Sequence, residues 1–305
     1  MLKCQRKKPP ALDPFSKDCN KNRMEKDKPD SDRLQRIVRN ALDEDIGDGD
    51  ITTESILPSD RIFRGRFIAK EDGIVAGLEM ARITFSQLDE NMDFTVYHRD
   101  GAQVEAGTVI AGIRGSGRAV LSGERVALNF MQRMSGIATL SRRFVDAVSG
   151  TDAVILDTRK TAPGLREVDK WAVRIGGGRN HRFGLFDMAM IKENHIAAAG
   201  SITRAVDLLR KHKLQNRPVE VEVKNLEELR EALELSVDRI LLDNMNLDLM
   251  GKAVEITRGK TPLEASGNVS LNNAADIAAT GVDYISVGAL THSVQAMDIS
   301  LLFDD

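Results

Sequence analysis

Residues 219–243 read VEVEVKNLEELREALELSVDRILLD. Two short apolar runs, Val219–Val223 and Arg239–Leu242, flank an amphipathic stretch over about 225–235. Strand, helix and strand of these lengths form a right-handed crossover, which places the two strands parallel in one sheet. The same alternation extends both ways. Further strands are predicted at Ala153–Leu156, near Met188–Ile191, at Leu263–Ala265 and at Tyr284–Val287, with helices at about 201–213, 246–258 and 270–280. Six or seven such units fit, so the fold class is α/β, a TIM-like barrel that need not be complete. A doubly wound open sheet is the alternative.

Upstream the texture changes. Ser122–Val148 reads as one long helix, with Val126, Phe130, Met134, Ile137, Leu140 and Phe144 three or four residues apart. Gly136 inside it marks a close packing contact or a break. From 32 to about 121 the pattern looks β-rich with short turns: Arg61–Lys70 alternates, Asp93–His98 is another strand candidate, and glycines recur between apolar pairs over 100–117.

The chain has 305 residues, 43 Lys/Arg against 46 Asp/Glu, and a net charge of −3, which excludes a global polycation and argues against nucleic acid as a partner. No apolar run reaches the roughly 20 residues a bilayer span requires. The opening MLKCQRKKPP has no apolar stretch after its charges, unlike a secretory signal. Cys4 and Cys19 are the two cysteines, so neither a disulfide framework nor a cysteine-built zinc site is expected in the body. The reading is a cytoplasmic protein with no membrane partner. Residues 1–30 carry nine Lys/Arg, five Asp/Glu and little apolar periodicity, which predicts a disordered, dispensable tail with Met24 as an alternative start.

The chemistry follows the strands. Thr158, Arg159 and Lys160 follow the first, Lys192-Glu193-Asn194-His195 the second, and Glu222 and Asp243 end the next two. Ser266-Gly267-Asn268 and Val287-Gly288-Ala289 follow the last two. In a barrel the carboxyl ends of the strands converge on one mouth, where catalytic groups gather. Arg159, Lys160, His181, Arg182 and Lys192 form a cationic set in a net acidic body, and Arg125 on the long helix is a further candidate. Such a set implies a polyanionic ligand. Glu222 and Asp243 suit hydroxyls, a hard divalent cation or a developing positive centre. The two small-residue loops offer backbone N–H groups to phosphate. Singly, each signal has a plain structural explanation: Lys192 and Glu222 as an ordinary ion pair, His181 as a satisfied structural histidine, the glycines 176–178 as a helix terminator. Together they favour a phosphorylated, multiply anionic substrate with Mg²⁺.

GDGDITT (47–53), GERVALNFMQRMSGIAT (123–139), DTRKTAPGLR (157–166), KWAVRIGGGRNHRFGLFDMAMIKENH (170–195), VEVEV (219–223), LLDN (241–244), SGN (266–268) and ISVGALTHS (285–293) resemble the quinolinate phosphoribosyltransferase family. The likeness runs in order from about residue 33 to the C-terminus. The family's molybdenum-linked paralogues tend to lack an intact KENH, which this chain keeps. The resemblance implies an N-terminal α/β sandwich (31–148), an incomplete α/β barrel (149–290), and a C-terminal segment (291–305) that returns to the first domain. It implies a homodimer with shared active sites, with higher oligomers open, and Mg²⁺ as cofactor. The substrates would be quinolinate and phosphoribosyl pyrophosphate, the products nicotinate mononucleotide, pyrophosphate and CO₂. By the same likeness Arg125, Arg159, His181 and Arg182 hold the two carboxylates of quinolinate, and Lys160 and Lys192 lie near substrate and pyrophosphate. Glu222 and Asp243 stand beside the ribose hydroxyls and the metal, Thr158 lines the site, and 266–268 with 287–289 bind phosphate. Catalysis is assigned to Lys160, Lys192, Glu222 and Asp243. The rivals are a salvage transferase acting on nicotinate and a non-catalytic binding protein on the same fold.

Overall fold

The computed structural model describes residues 28–211 and 217–304. The expected tail therefore lies outside the described residues up to position 27, as does the end of the helix expected over 201–213. Residues 28–30 correct the tail's boundary. Lys28 pairs with Glu79 at 2.8 Å, Pro29 is buried, and the Asp30 side chain accepts from the Arg33 N–H, so these three belong to the folded body.

The first half is less β-rich than its texture suggests. It opens with helix α1 (Ser31–Ile46) and the short α2 (Ile51–Ile56), followed by β1 (Ile62–Ala69) and β2 (Gly73–Ile74). Helix α3 (Leu78–Leu88), β3 (Asp93–Val96), β4 (Gln103–Val104) and β5 (Val109–Ser116) complete it. In α1 only Leu34, Val38 and Leu42 are buried, one per turn among charges. That stripe is narrow enough to escape a search for dense apolar runs, and capping by Asp30 fixes where it begins.

Helix α4 (Gly117–Ala147) starts five residues before the sequence expectation, at the cap supplied by Ser116. Its 31 residues span about 46 Å. It runs unbroken through Gly136, where an added Cβ would lie 2.0 Å from the Gln295 carbonyl oxygen. The glycine is a crossing point: segment 293–297 passes directly over the helix there. Met297 N–H then donates to the Gln132 carbonyl, and Gln132 Nε2 to that of Ile299.

The second half alternates as expected: β6 (Val154–Leu156), α5 (Arg166–Ile175), β7 (Ala189–Ile191), α6 (Glu193–Ala199), α7 (Ile202–Lys211), β8 (Val219–Val223), α8 (Leu226–Glu234), β9 (Arg239–Asp243), α9 (Leu247–Thr257), β10 (Leu263–Ser266), α10 (Ala274–Ala279), β11 (Tyr284–Ser286) and α11 (Ala289–His292). The six strands lie in the order β6-β11-β10-β9-β8-β7 with every neighbouring pair parallel. No ladder joins β6 to β7 among the described residues, so the barrel is incomplete. The last strand, β12 (Ile299–Phe303), pairs antiparallel with β1 in the first sheet, ordered β12-β1-β5-β3. Two cores result. Phe67, Phe85, Ile110, Met131 and Leu301 fill the one under the first sheet, and Ile155, Val221, Ile240, Ala265 and Ile285 belong to the barrel core. Helix α4 contributes to both, with Met131 in one and Met134 in the other.

Candidate active site

The carboxyl ends of the six parallel strands surround a cavity of about 820 Å³. Thr158, Arg159, Lys160, His181, Arg182, Lys192, Glu222, Asp243, Ser266, Gly267, Asn268, Gly288 and Ala289 all line it. Val287 and Arg125 do not. The Val287 side chain is fully buried in the core, and only its backbone belongs to the loop. Arg125 is exposed on α4 and forms no hydrogen bond or ion pair among the described residues.

The cationic side is built by the β6 exit and by residues 176–188, which fill the gap between β6 and β7. Gly176 ends α5, and a Cβ there would lie 2.4 Å from the Ala138 carbonyl of α4. The triple glycine thus terminates a helix and also brings the loop against α4. Arg159 has a buried Nε with no hydrogen-bond partner. Arg182, held by an Nη1 contact of 3.2 Å to the Met188 carbonyl, has a pKa pushed down by desolvation and then by the Arg159 charge. Two guanidiniums that repel one another, one with an orphaned donor, form a receptor for an anion.

His181 sits on the floor of the cavity and is almost fully buried. Its Nε2 lies 2.9 Å from Glu220 and 3.4 Å from Glu264, both completely buried, although the N–H is not aimed along either contact. Arg239 lies 2.8 Å from Glu264 and 4.0 Å from Glu220 and stacks 4.2 Å over the Tyr284 ring. Burial opposes a charge on the imidazole, yet contacts with Glu220 and then Glu264 outweigh it and raise its pKa to about 9. The Arg182 N–H, donating to Nδ1 at 2.7 Å, works the other way. Burial pushes the Glu220 carboxyl up, whereas at Glu264 burial is outweighed by the contacts with His181 and Arg239, which hold its pKa down. Oxygen and nitrogen atoms of His181, Glu220 and Glu264 lie close enough together to ligate a metal. The guanidinium already beside them makes the cluster a charge-balanced ion network instead.

Opposite the arginines, β8 and β9 present Glu222 and Asp243. Glu222 pairs with Lys192 at 3.2 Å, so the ordinary ion pair expected as the plain explanation exists, but inside the cavity. Lys192 is placed by the start of α6, where its N–H donates to His195 Nδ1 at 3.0 Å. Asp243 accepts from Asn244 Nδ2 at 3.0 Å, and Asn244 Oδ1 accepts from Asn268. This corner concentrates unusual backbone: Asn244, Gly267 and Asn268 all have positive φ, and a Cβ on Gly267 would fall 2.1 Å from Asn244 Oδ1. The helices that follow the two small-residue loops are short. α11 has four residues and α10 begins only at Ala274, so phosphate would meet loop N–H groups rather than a helix dipole.

Seven cavity-lining residues escaped the sequence reading: the apolar Met190, Leu241 and Val269, and the polar Asn244, Glu264, Ser286 and His292. Glu264, like Glu220, is an acid inside an apolar strand run, and that was its available signal. His292 lies beyond the last strand exit, within about 3 Å of a Cβ built on Gly288.

A parallel α/β sheet with cations facing carboxylates across one mouth is an enzyme-type site suited to a multiply anionic substrate. The family signatures give the particular identity: residues 50–135 match the N-terminal domain and residues 137–302 the C-terminal domain of quinolinate phosphoribosyl transferase. The chain belongs to that family. It is 48% identical over 290 residues to quinolinate phosphoribosyltransferase [decarboxylating] 2, mitochondrial, of Nicotiana glauca, covering 89% of this chain and 82% of that one. A probable nicotinate-nucleotide pyrophosphorylase [carboxylating] of Synechocystis is 47% identical over 263 residues, covering 85% and 89%. The solved nicotinate-nucleotide pyrophosphorylase from Francisella tularensis superposes with a TM-score of 0.87 at 44% identity, over 91% of this chain and 98% of that one. Human nicotinic acid phosphoribosyltransferase, at 10% identity and a TM-score of 0.56, shares the fold alone.

Proposed function

We propose that this chain transfers the phosphoribosyl group of phosphoribosyl pyrophosphate to quinolinate and removes one carboxylate. The products are nicotinate mononucleotide, pyrophosphate and CO₂, in de novo NAD biosynthesis. The observation that carries this reading is the crowding of Arg159 and Arg182, with an orphaned buried donor, in the cavity that also holds Glu222 and Asp243. The arginines, with His181 beneath them, take the dicarboxylate. As pyrophosphate leaves ribose C1, the sugar acquires oxocarbenium character, which Glu222 and Asp243 stabilise. Lys160 and Lys192 offset the charge on the leaving group, and the N–H groups of 266–268 and 287–289 hold phosphate. The pyridine nitrogen bonds to C1 and becomes quaternary. When the adjacent carboxylate departs as CO₂, its electron pair stays on the ring carbon, stabilised by that nitrogen, and a solvent proton replaces it.

Glu222 and Asp243 offer only oxygen donors on adjacent strand ends, which fits a hard cation. They would hold Mg²⁺ largely through substrate and water, and when bound the ion supplies charge neutralisation on the pyrophosphate. A homodimer with shared sites is part of the same proposal. Arg125 is exposed and away from its own cavity, while Ile51 (83% exposed), Ile56 (76%), Leu185 (73%) and Phe186 (64%) offer apolar surface to a second copy. No helix among the described residues is long and apolar enough to cross a membrane. We place the chain in the cytoplasm, although the plant relatives are named mitochondrial or chloroplastic; organelle import of the tagged full chain would refute this.

The test is CO₂ release with phosphoribosyl pyrophosphate and Mg²⁺, comparing quinolinate with nicotinate as acceptor. Turnover of quinolinate alone supports the proposal. Turnover of nicotinate alone makes the chain a salvage enzyme, and none with either makes it a binding protein.

A further inference from the structure

The two halves of the cationic site come from different parts of the chain. Arg159 and Lys160 leave β6, whereas His181 and Arg182 lie on the loop between α5 and β7. One buried ion pair joins them. Asp157, fully buried at the end of β6, pairs with Lys170 of α5, which is 1% exposed. Asp157 Oδ1 also accepts the His181 backbone N–H at 2.9 Å, and Lys170 Nζ donates to the His181 carbonyl at 3.1 Å. Both polar backbone groups of His181 are thus held by the same pair. Asp157 Oδ2 accepts Asn180 Nδ2 at 2.5 Å, and that nitrogen also donates to the Lys170 carbonyl at 2.9 Å. The acid stands two residues before Arg159, so the strand that aims one guanidinium also fixes the loop that aims the other. Neither Asp157 nor Lys170 lines the cavity.

We infer that Asp157 and Lys170 are positioning residues for the dicarboxylate: their ion pair sets the spacing between the Arg159 half and the His181–Arg182 half. A pyridine dicarboxylate has a fixed separation between its two anionic groups. A receptor in two pieces recognises it only if the pieces stay in register, and a misplacement of about 1 Å is costly. The inference rests on the proposed function. Of the residues serving ribose and pyrophosphate only Lys160 leaves β6, and it is tied to Thr158 and Thr291 rather than to the pair; the others, on β8, β9 and the 266–268 loop, lie on other strands, and none shares a hydrogen bond with Asp157 or Lys170. Loss of the pair should therefore weaken quinolinate recognition and spare phosphoribosyl pyrophosphate.

Lys170→Met alone leaves a buried carboxylate without a counter-ion and is prone to unfold. The informative variant is Asp157→Asn combined with Lys170→Met, which removes both charges, retains an acceptor for the His181 N–H and leaves the His181 carbonyl without its donor. Steady-state kinetics on the wild type and the double variant, with thermal midpoints for both, decide the matter. The expected result is a folded double variant whose KM for quinolinate rises about tenfold or more, with KM for phosphoribosyl pyrophosphate within about twofold of wild type. An unchanged quinolinate KM, or equal increases for both substrates, would overturn the positioning role while leaving the function intact. An unfolded double variant would likewise overturn it, by showing that the pair serves the fold. A wild-type chain without quinolinate turnover would overturn the proposed function and this inference with it.

Discussion

Arg125 provides the sharpest test of the shared site. It stands on the N-terminal third of α4, exposed, with no hydrogen bond or ion pair among the described residues, and outside the cavity of its own chain. If it completes the neighbour's site, Arg125→Ala removes a charge-assisted hydrogen bond to a substrate carboxylate, worth about 1.5–3 kcal/mol, or roughly 10- to 150-fold in activity. Lys160→Ala disables the cavity of the chain that carries it. When the two impaired variants exchange subunits at equal concentration, about half of the dimers are hybrids. Each hybrid has one site with both defects and one with neither. Activity should therefore recover to about a quarter of wild type, well above either parent. The assay is CO₂ release before and after exchange, with hybrid formation followed by native mass spectrometry on differently tagged chains. Hybrids that form and stay as impaired as their parents would refute the trans arrangement and return Arg125 to its own chain.

Three further perturbations are informative. Glu222→Ala should lower kcat roughly 100-fold or more, with quinolinate KM nearly unchanged, because an anion stabilises the ribosyl cation and repels a dicarboxylate; the reverse split would contradict its assignment. Asp100 accepts from the Leu78 N–H at the start of α3, and desolvation pushes its pKa up to about 6 from 3.8. The folded state then binds the proton more tightly than the unfolded one, so this residue's contribution to stability falls as pH rises from about 4 to 6. At about 1.4 kcal/mol per tenfold in proton affinity, the cost at pH 7 is at most about 3 kcal/mol. Asp100→Asn, whose amide oxygen still accepts from Leu78, should raise the denaturation midpoint at pH 7 and flatten its slope between pH 4 and 6. A lower midpoint with the slope retained would show that the charge itself caps α3. Gly136→Ala should cost about 3 kcal/mol or more, because the new methyl group meets the Gln295 carbonyl at 2.0 Å; a thermal midpoint within a degree of wild type would mean that the crossing segment shifts freely.

The barrel half was legible because its strands are buried on both faces and read as continuous apolar runs that end in polar residues. Those endings supplied eleven of the residues that line the cavity, and His181 and Arg182, on the loop before β7, are two more. The first half was harder to read. Helix α1 buries three leucine or valine side chains among charges, and its start is set by one capping aspartate. The buried acids Glu220 and Glu264 were visible as anomalies within VEVEV and LEAS. Their partners, His181 and Arg239, lie on other elements, and sequence spacing carries no record of which side chains meet inside a barrel. The fit of Gly136 beneath Gln295 was equally hidden, since a helical glycine looks the same whether it breaks a helix or admits a crossing chain. Arg125 was named from the sequence, but it lies outside the cavity of its own chain, and which site it serves is the question the subunit-exchange test answers.

The pairing of β12 with β1 also constrains how the molecule is made. Residues 62–69 leave the ribosome long before 299–303, the strand that must lie beside them. At about 5–20 residues per second, β1 waits on the order of ten to fifty seconds for its neighbour. During that interval its outer edge is unpaired, with Phe67 one of the side chains that β12 will later cover. The barrel, whose strands pair only among themselves, can close its core first and then receive the final strand as it crosses α4 at Gly136. A nascent chain stalled or cleaved a few residues short of its end would therefore hold a nearly finished barrel and an open first sheet. Quality control at the ribosome should recognise such a product by its first hundred residues rather than by its last ten.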